Sequence, residues 1–202
     1  RPEGWSSRFV RFFNELKEGI DGISQEAVNY AQEKIGAKKL KSEKTTIIIE
    51  NKALLTLFGQ LISASNGSNI QQKRSFLENK LGQKITSEIL TIDDNPFIQS
   101  GLNSRLFDGE GISAKKFPFL ENGVLRSYYI DTYYSNKLKS PCTTGAPSNL
   151  EFSTGTKSLQ QLIEGIEHGF LIRDFIGGNF NSITGDFSIG LNGLLIENGK
   201  LR

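Results

Sequence analysis

Residues 177–199 read GGNFNSITGDFSIGLNGLLIENG, and the punctuation of this stretch sets the terms for the rest of the chain. Gly177 to Asp186 is dense in glycine and asparagine and reads as a loop. Phe187 to Ile196 follows as a strand interrupted by Gly190 and Gly193, where a bulge or a close backbone approach is expected. Asn198-Gly199 then supplies the positive φ angles of a tight hairpin turn. The same turn occurs earlier, because Phe119-Leu120-Glu121-Asn122-Gly123-Val124-Leu125-Arg126 is similar over eight positions to Leu195-Ile196-Glu197-Asn198-Gly199-Lys200-Leu201-Arg202. Lys116 to Leu120 and Val124 to Ile130 are therefore expected to pair around Asn122-Gly123. A strand that has just turned at Asn198-Gly199 needs a partner of ordinary length, so further sequence is expected after Arg202, and a start at Arg1 suggests more before it.

Working toward the N-terminus, Phe170 to Ile176 reads as a strand. Before it, Leu159, Leu162, Ile163 and Ile166 repeat at helical spacing behind the capping residue Ser158, with Gly169 as the stop. Pro141 to Pro147 is a loop. Lys84 to Ile92 alternates in polarity like a strand and ends at the turn formers Asp93, Asp94, Asn95 and Pro96. Thr45 to Glu50 (TTIIIE) carries a buried-strand signal, and Asn51 to Ala64 continues as a buried helix closed by Ser65 to Ser68. A helix from about Ser24 to Ile35 is ended by Gly36, and Lys34, Lys38, Lys39, Lys41 and Lys44 form a basic connector, read as a solvated linker. About three helices among eight strands, without regular βαβ alternation, give an α+β class with largely antiparallel sheet. The division expected is a helical connector over residues 1–44 and a β-rich domain over 45–202.

Composition removes several function classes. The 202 residues hold 1 cysteine and 1 histidine, which excludes a disulfide framework, a cysteine-cluster zinc site and any pair of imidazoles on one metal. Lys and Arg number 24 against 22 Asp and Glu, a net charge of +2, so nucleic acid is not indicated as a partner. No apolar run is long enough for a membrane span and no signal core opens the chain, so a cytoplasmic setting without membrane contact is expected.

Individual residues offer little self-sufficient chemistry. His168, placed at a helix end, complements the helix dipole when charged; as a general base it lacks a nucleophile and an orienting acid nearby in sequence. Asp108 and Glu110 in Asp108-Gly109-Glu110-Gly111 could pair as carboxylates, but two glycines favour a turn. Ser188 misses the nucleophile-elbow pattern by one residue. Cys142 is a lone thiol in a loop. Asn66-Gly67-Ser68 fits a glycosylation sequon without relevance in the cytoplasm.

The stretch from Gly177 to Gly199 resembles the C-terminal signature of the TldD/PmbA family, also called modulator of DNA gyrase. The resemblance rests on Thr184, Gly185, Asp186, Phe187 and Ser188, followed by Gly193 and the turn Glu197-Asn198-Gly199. Lys73-Arg74-Ser75-Phe76, Gly82-Gln83-Lys84-Ile85, Phe107-Asp108 with Glu110-Gly111, and Tyr133 to Leu138 extend it over about Thr45 to Arg202. It implies the β-rich C-terminal half of a cytoplasmic two-subunit zinc peptidase acting on unfolded peptides. Its metal would be bound through an HExxxH helix on the TldD subunit.

That helix would follow the strand at Thr45 to Glu50, where this chain has Leu55-Thr56-Leu57-Phe58-Gly59-Gln60. Leucine, threonine and glutamine cannot stand in for two imidazoles and a carboxylate. The resemblance is thus to the metal-free PmbA (TldE) type. It implies no cofactor in this chain, zinc in a TldD-like partner, no catalytic residue, and a peptide-binding or signature role for Thr184, Gly185, Asp186, Phe187 and Ser188. Two other classes remain open at this point: a non-enzymatic peptide- or protein-binding module, with gyrase as the partner the family name suggests, and a self-standing hydrolase using His168, Asp186 or Ser188.

Overall fold

The computed structural model describes residues 2–17 and 19–202. In chain order, α1 (Phe13–Lys17) and α2 (Ile20–Glu33) lead to β1 (Thr46–Ile49), α3 (Asn51–Ala64) and α4 (Gly67–Gln71). Then come β2 (Ile92–Asp94), β3 (Phe117–Glu121), β4 (Val124–Leu125), α5 (Thr132–Leu138) and β5 (Leu150–Phe152). The last elements are α6 (Leu159–Glu164), β6 (His168–Phe180), β7 (Phe187–Glu197) and β8 (Lys200–Leu201). They form two four-stranded sheets, ordered β1-β6-β7-β8 and β4-β3-β2-β5. Only the β1–β6 pair is parallel, so the largely antiparallel α+β class holds.

Each sheet has its own apolar cluster. Ile92, Phe119, Leu120, Leu125, Tyr129 and Ile130 build the larger one, covered by Phe58, Leu61 and Ile62 of α3. Ile163, Leu171 and Ile196, with Ile48 and Ile166 alongside, seat α6 on the first sheet. Helix α3 also lies against β6, so it is the element that bridges the two sheets. Ser158 caps α6 with a reciprocal capping box through Gln161, which fixes its start.

Both Asn-Gly turns form. Asn122 and Gly123 have φ of 48° and 77°, and Asn198 and Gly199 of 51° and 74°, the twist that matches right-handed strands. Elsewhere the structure departs from the sequence reading. The loop expected at Gly177 to Asp186 is shorter, because β6 runs on to Phe180 and pairs with β7 along its length. Gly177 and Gly178 are absorbed as a register irregularity between Ile176 and Gly178, a use of glycine that loop composition alone does not reveal. Helix α6 ends at Gly165, not Gly169, so His168 opens a strand and has no helix end to complement.

Asp93 and Asp94 are strand residues paired with β3 and β5, since partners distant in sequence override their turn preference. The stretch 84–91 is irregular, with an isolated bridge from Lys84 to Val124 and a turn at Glu88 and Ile89, and β4 stops at Leu125 instead of reaching Ile130. Strand β1 is an edge strand with Ile47 half exposed, and α3 buries only Ala53 and Ala64, so neither element is the buried one expected. The first long helix spans Ile20–Glu33 instead of Ser24 to Ile35. Six helices are present among the described residues. The additions include α4, capped by Asn66 where a closing turn was expected, and α5, capped by Asp131.

Candidate functional site

The signature residues close the β6–β7 hairpin. Asn181 organises its end: its side-chain oxygen accepts from the N–H of Ile183 at 3.0 Å and of Thr184 at 3.3 Å. Its N–H donates to the Asp186 carbonyl at 2.8 Å, and its carbonyl accepts from Gly185 N–H at 2.8 Å. Thr184 Oγ1 accepts from the Asp186 N–H at 3.3 Å. Phe187 stacks on Phe180 with ring centroids 6.5 Å apart, and Ser188 pairs with Asn179 in the ladder. Thr184, Asp186, Phe187 and Ser188 are all exposed.

Gly185 is different. Its φ is +82°, and a Cβ there would lie 3.1 Å from Phe76 Cγ, so the loop backbone rests directly on that ring. Phe76 N–H donates to the Ser182 carbonyl at 2.8 Å, and Phe76 and Phe180 meet edge to face at 6.1 Å. Ser75 Oγ holds the segment from the other side, donating to the Ala64 carbonyl at the end of α3 at 2.6 Å and accepting from Leu77 N–H. The hairpin tip and the Lys73-Arg74-Ser75-Phe76 segment, recognised separately in sequence, are thus one packed unit. Thr184, Gly185 and Asp186 are brought together by backbone hydrogen bonding, with no convergence on a nucleophile.

Beside Phe76, which is part of its lining, lies a cavity of about 400 Å³ that is partly open to solvent. Phe58, Leu61, Leu77, Ile85, Leu90 and Leu120 line it and Lys80, Lys84 and Thr86 stand around it. Sequence reading missed this site because the lining comes from four separated segments with no shared motif.

The stretch Leu55 to Gln60 lies within α3. Leu55 is 68% exposed, and Thr56 faces a smaller cavity shared with Trp5, Tyr30, Lys52 and Arg173. Leu55 and Gln60 supply no imidazole and Thr56 no carboxylate, so this donor set does not fit a hydrolytic zinc centre. Among the described residues no group of three or more His, Cys, Asp or Glu gathers as a metal site.

Ion pairs instead surround this end of α3. Arg173 bridges Glu50 and Glu33, the latter at 3.0 Å, and lies over the Tyr30 ring. Lys52 Nζ meets Glu26 at 2.6 Å, and Ser6 also donates to that carboxylate. These contacts, Lys52 first and Ser6 next, hold the Glu26 carboxyl down to about 2. Burial pushes the Tyr30 phenol up. The network clamps α2 onto the β-rich part of the chain.

The other candidates have structural partners. His168 is exposed, with Nε2 2.9 Å from Glu43, and among the described residues no serine or cysteine hydrogen-bonds to it. Asp108 caps its own turn by accepting from the N–H of Glu110 and Ile112, as its glycines suggested. Glu110 accepts from Thr132 N–H and Oγ1 at 2.9 Å each, tying that turn to α5. Burial raises the Cys142 thiol, which disfavours thiolate. Asp94, 1% exposed, accepts from Tyr129 Oη at 3.0 Å and from both Ser148 N–H and Oγ. Burial, followed by the Asp94 charge, pushes the Tyr129 phenol up, so it stays a hydrogen-bond donor.

Comparison with known proteins agrees with this architecture. The family model described as PmbA/TldA metallopeptidase C-terminal domain matches residues 42–202. The metalloprotease PmbA homolog of Buchnera aphidicola is 30% identical over 181 residues, 89% of this chain and 41% of that protein. The zinc metalloprotease TldD homolog of Saccharolobus solfataricus is 31% identical over 134 residues, 59% of this chain and 30% of that protein. The crystal structure of a modulator of DNA gyrase from Bacteroides thetaiotaomicron superposes with a TM-score of 0.87 at 45% identity, covering 90% of this chain and 41% of that one. TldE from Thermococcus kodakarensis superposes at 0.79 with 27% identity, covering 91% and 45%. The chain spans about two fifths of the length of the curated relatives it matches. It belongs to the PmbA/TldD metallopeptidase family and carries that family's C-terminal domain.

Proposed function

We propose that this chain is part of the metal-free, PmbA (TldE)-type subunit of a two-subunit cytoplasmic metallopeptidase, holding unfolded peptide for hydrolysis by a zinc-bearing TldD-type partner. The observation that carries this reading is the composition of α3. In the position where the resemblance implies an HExxxH helix, the structure has a regular helix bearing Leu55, Thr56 and Gln60. The scaffold is kept while its donors are of the wrong chemistry. Residues 1–44 act as a helical connector, and residues 45–202 form the domain that shapes the groove.

A surface for extended peptide is available in the first sheet. Strand β1 forms one edge of that sheet. A peptide added to a sheet edge is held through main-chain donors and acceptors irrespective of its sequence. Such an edge supports binding of many unfolded chains, in keeping with a subunit that presents substrate and leaves the hydrolysis to its partner.

The test is metal content and hydrolysis of an unfolded peptide, measured on the full-length protein alone and coexpressed with a TldD-type partner. Zinc and cleavage in the complex only are expected. Zinc with cleavage by the protein alone would overturn the proposal.

A further inference from the structure

We infer that the cavity beside Phe76 is a subsite for the C-terminal residue of a polypeptide, taking an apolar side chain with its free α-carboxylate. Its volume of about 400 Å³ lies in the range of ligand pockets and exceeds what one buried side chain needs. The floor is apolar: Leu77 and Leu120 are 1% and 0% exposed, and Phe58, Leu61, Ile85 and Leu90 complete it. The charged side chains lining it, Lys80 and Lys84, are both cationic. Lys84 also meets the exposed Glu88 at 3.1 Å, a solvent-screened pair that an incoming carboxylate can replace.

An apolar floor beside a cationic rim selects a ligand whose hydrophobic group and negative charge are close together. A C-terminal Leu, Ile or Phe presents both within one residue. The cavity is partly open to solvent, which leaves a path for the rest of a long chain to leave. That feature favours a polypeptide end over a free fatty acid, whose acyl chain needs enclosure along its length. Phe76 ties the subsite to the signature: one side of its ring supports Gly185 and the segment also walls the cavity.

This inference rests on the reading of the protein as a peptide-holding subunit, and it is tested separately from hydrolysis. Fluorescence anisotropy with the full-length protein, without partner, would compare three probes. These are a labelled unfolded peptide ending in Leu with a free carboxylate, the same peptide amidated, and labelled laurate. The free-acid peptide is expected to bind about tenfold tighter than the amide, a difference that shrinks with salt. Lys80→Glu with Lys84→Glu, both on exposed side chains, should remove that preference, and Leu90→Trp should weaken both peptides by filling the floor. The proposal is overturned by equal binding of acid and amide, by a preference that survives the double charge reversal, or by binding of laurate alone. Cleavage by the reconstituted complex with no carboxylate preference would sink the subsite and leave the proposed function intact. Carboxylate-dependent binding without cleavage in any complex would do the reverse.

Discussion

Replacing Gly185 with alanine separates a structural from a ligand-binding role for the Thr184 to Ser188 signature. The added methyl meets two penalties. At φ +82° a residue with a Cβ costs about 1–2 kcal/mol relative to glycine. The Cβ would also stand 3.1 Å from Phe76 Cγ and 3.3 Å from Cδ2, so the ring must yield by a few tenths of an ångström, adding about 1 kcal/mol of overpacking. Reduced freedom of the unfolded chain offsets about 0.4–1 kcal/mol. The net expectation is a loss of about 1–2 kcal/mol in urea unfolding followed by far-UV circular dichroism. A double-mutant cycle isolates the ring contact: with Phe76→Leu in the background the steric part should fall away, leaving a coupling of about 0.5–1 kcal/mol. A variant within 0.5 kcal/mol of the parent, with peptide binding abolished, would refute the argument and make Gly185 a direct ligand contact.

The buried Asp94 should be among the most sensitive polar positions. Asp94→Ala leaves Tyr129 Oη and two groups of Ser148 without an acceptor and is expected to cost about 3 kcal/mol, against about 1 kcal/mol for Tyr129→Phe; equal losses in urea unfolding would contradict the network. Acid should loosen α2. The Glu26 carboxyl is held down to about 2 in the fold against an ordinary value of about 4.5, so its contribution is present above the unfolded value and is lost as the pH falls from about 5 toward 2. Because its side chain is 36% exposed, screening keeps that contribution below about 1 kcal/mol, and Glu26→Gln should flatten the acid limb of the stability profile by that much or less.

Features decided by neighbouring residues were legible in the sequence. The two Asn-Gly turns and strand β7 follow from local backbone chemistry, and the α6 start at Ser158 from a side chain capping its own helix. Features decided at long range were not. Asp93 and Asp94 carry turn chemistry, yet their place in β2 is set by β5 and by Ser148, 54 residues further along. The β1–β6 pair joins Thr46 to Gly169 in parallel, a match that no periodicity announces. Gly177 and Gly178 read as loop residues because composition cannot distinguish a bulge inside a long hairpin from its end. The signature residues were found by resemblance, but their contact with Phe76 depends on two segments more than a hundred residues apart.

That contact changes how substitutions in the signature should be read. Gly185 bears on Phe76, the Phe76 segment walls the apolar cavity, and Phe58 of α3 faces the same cavity. A change at the hairpin tip can therefore reshape a binding surface without touching a ligand. Ser188 belongs to a different class: it is exposed and held through the β-ladder with Asn179. Loss of peptide binding at Gly185 accompanied by lost stability indicates support of the cavity wall, whereas loss at Ser188 with stability unchanged indicates a peptide contact on the exposed hairpin. Helix α3 follows the same logic. Its Leu61 and Phe58 face retains a packing role even though Leu55, Thr56 and Gln60 supply no metal donors. Packing of the second sheet requires the helix, while hydrolysis would require a donor set that it does not carry, so the two constraints act on different residues of one element.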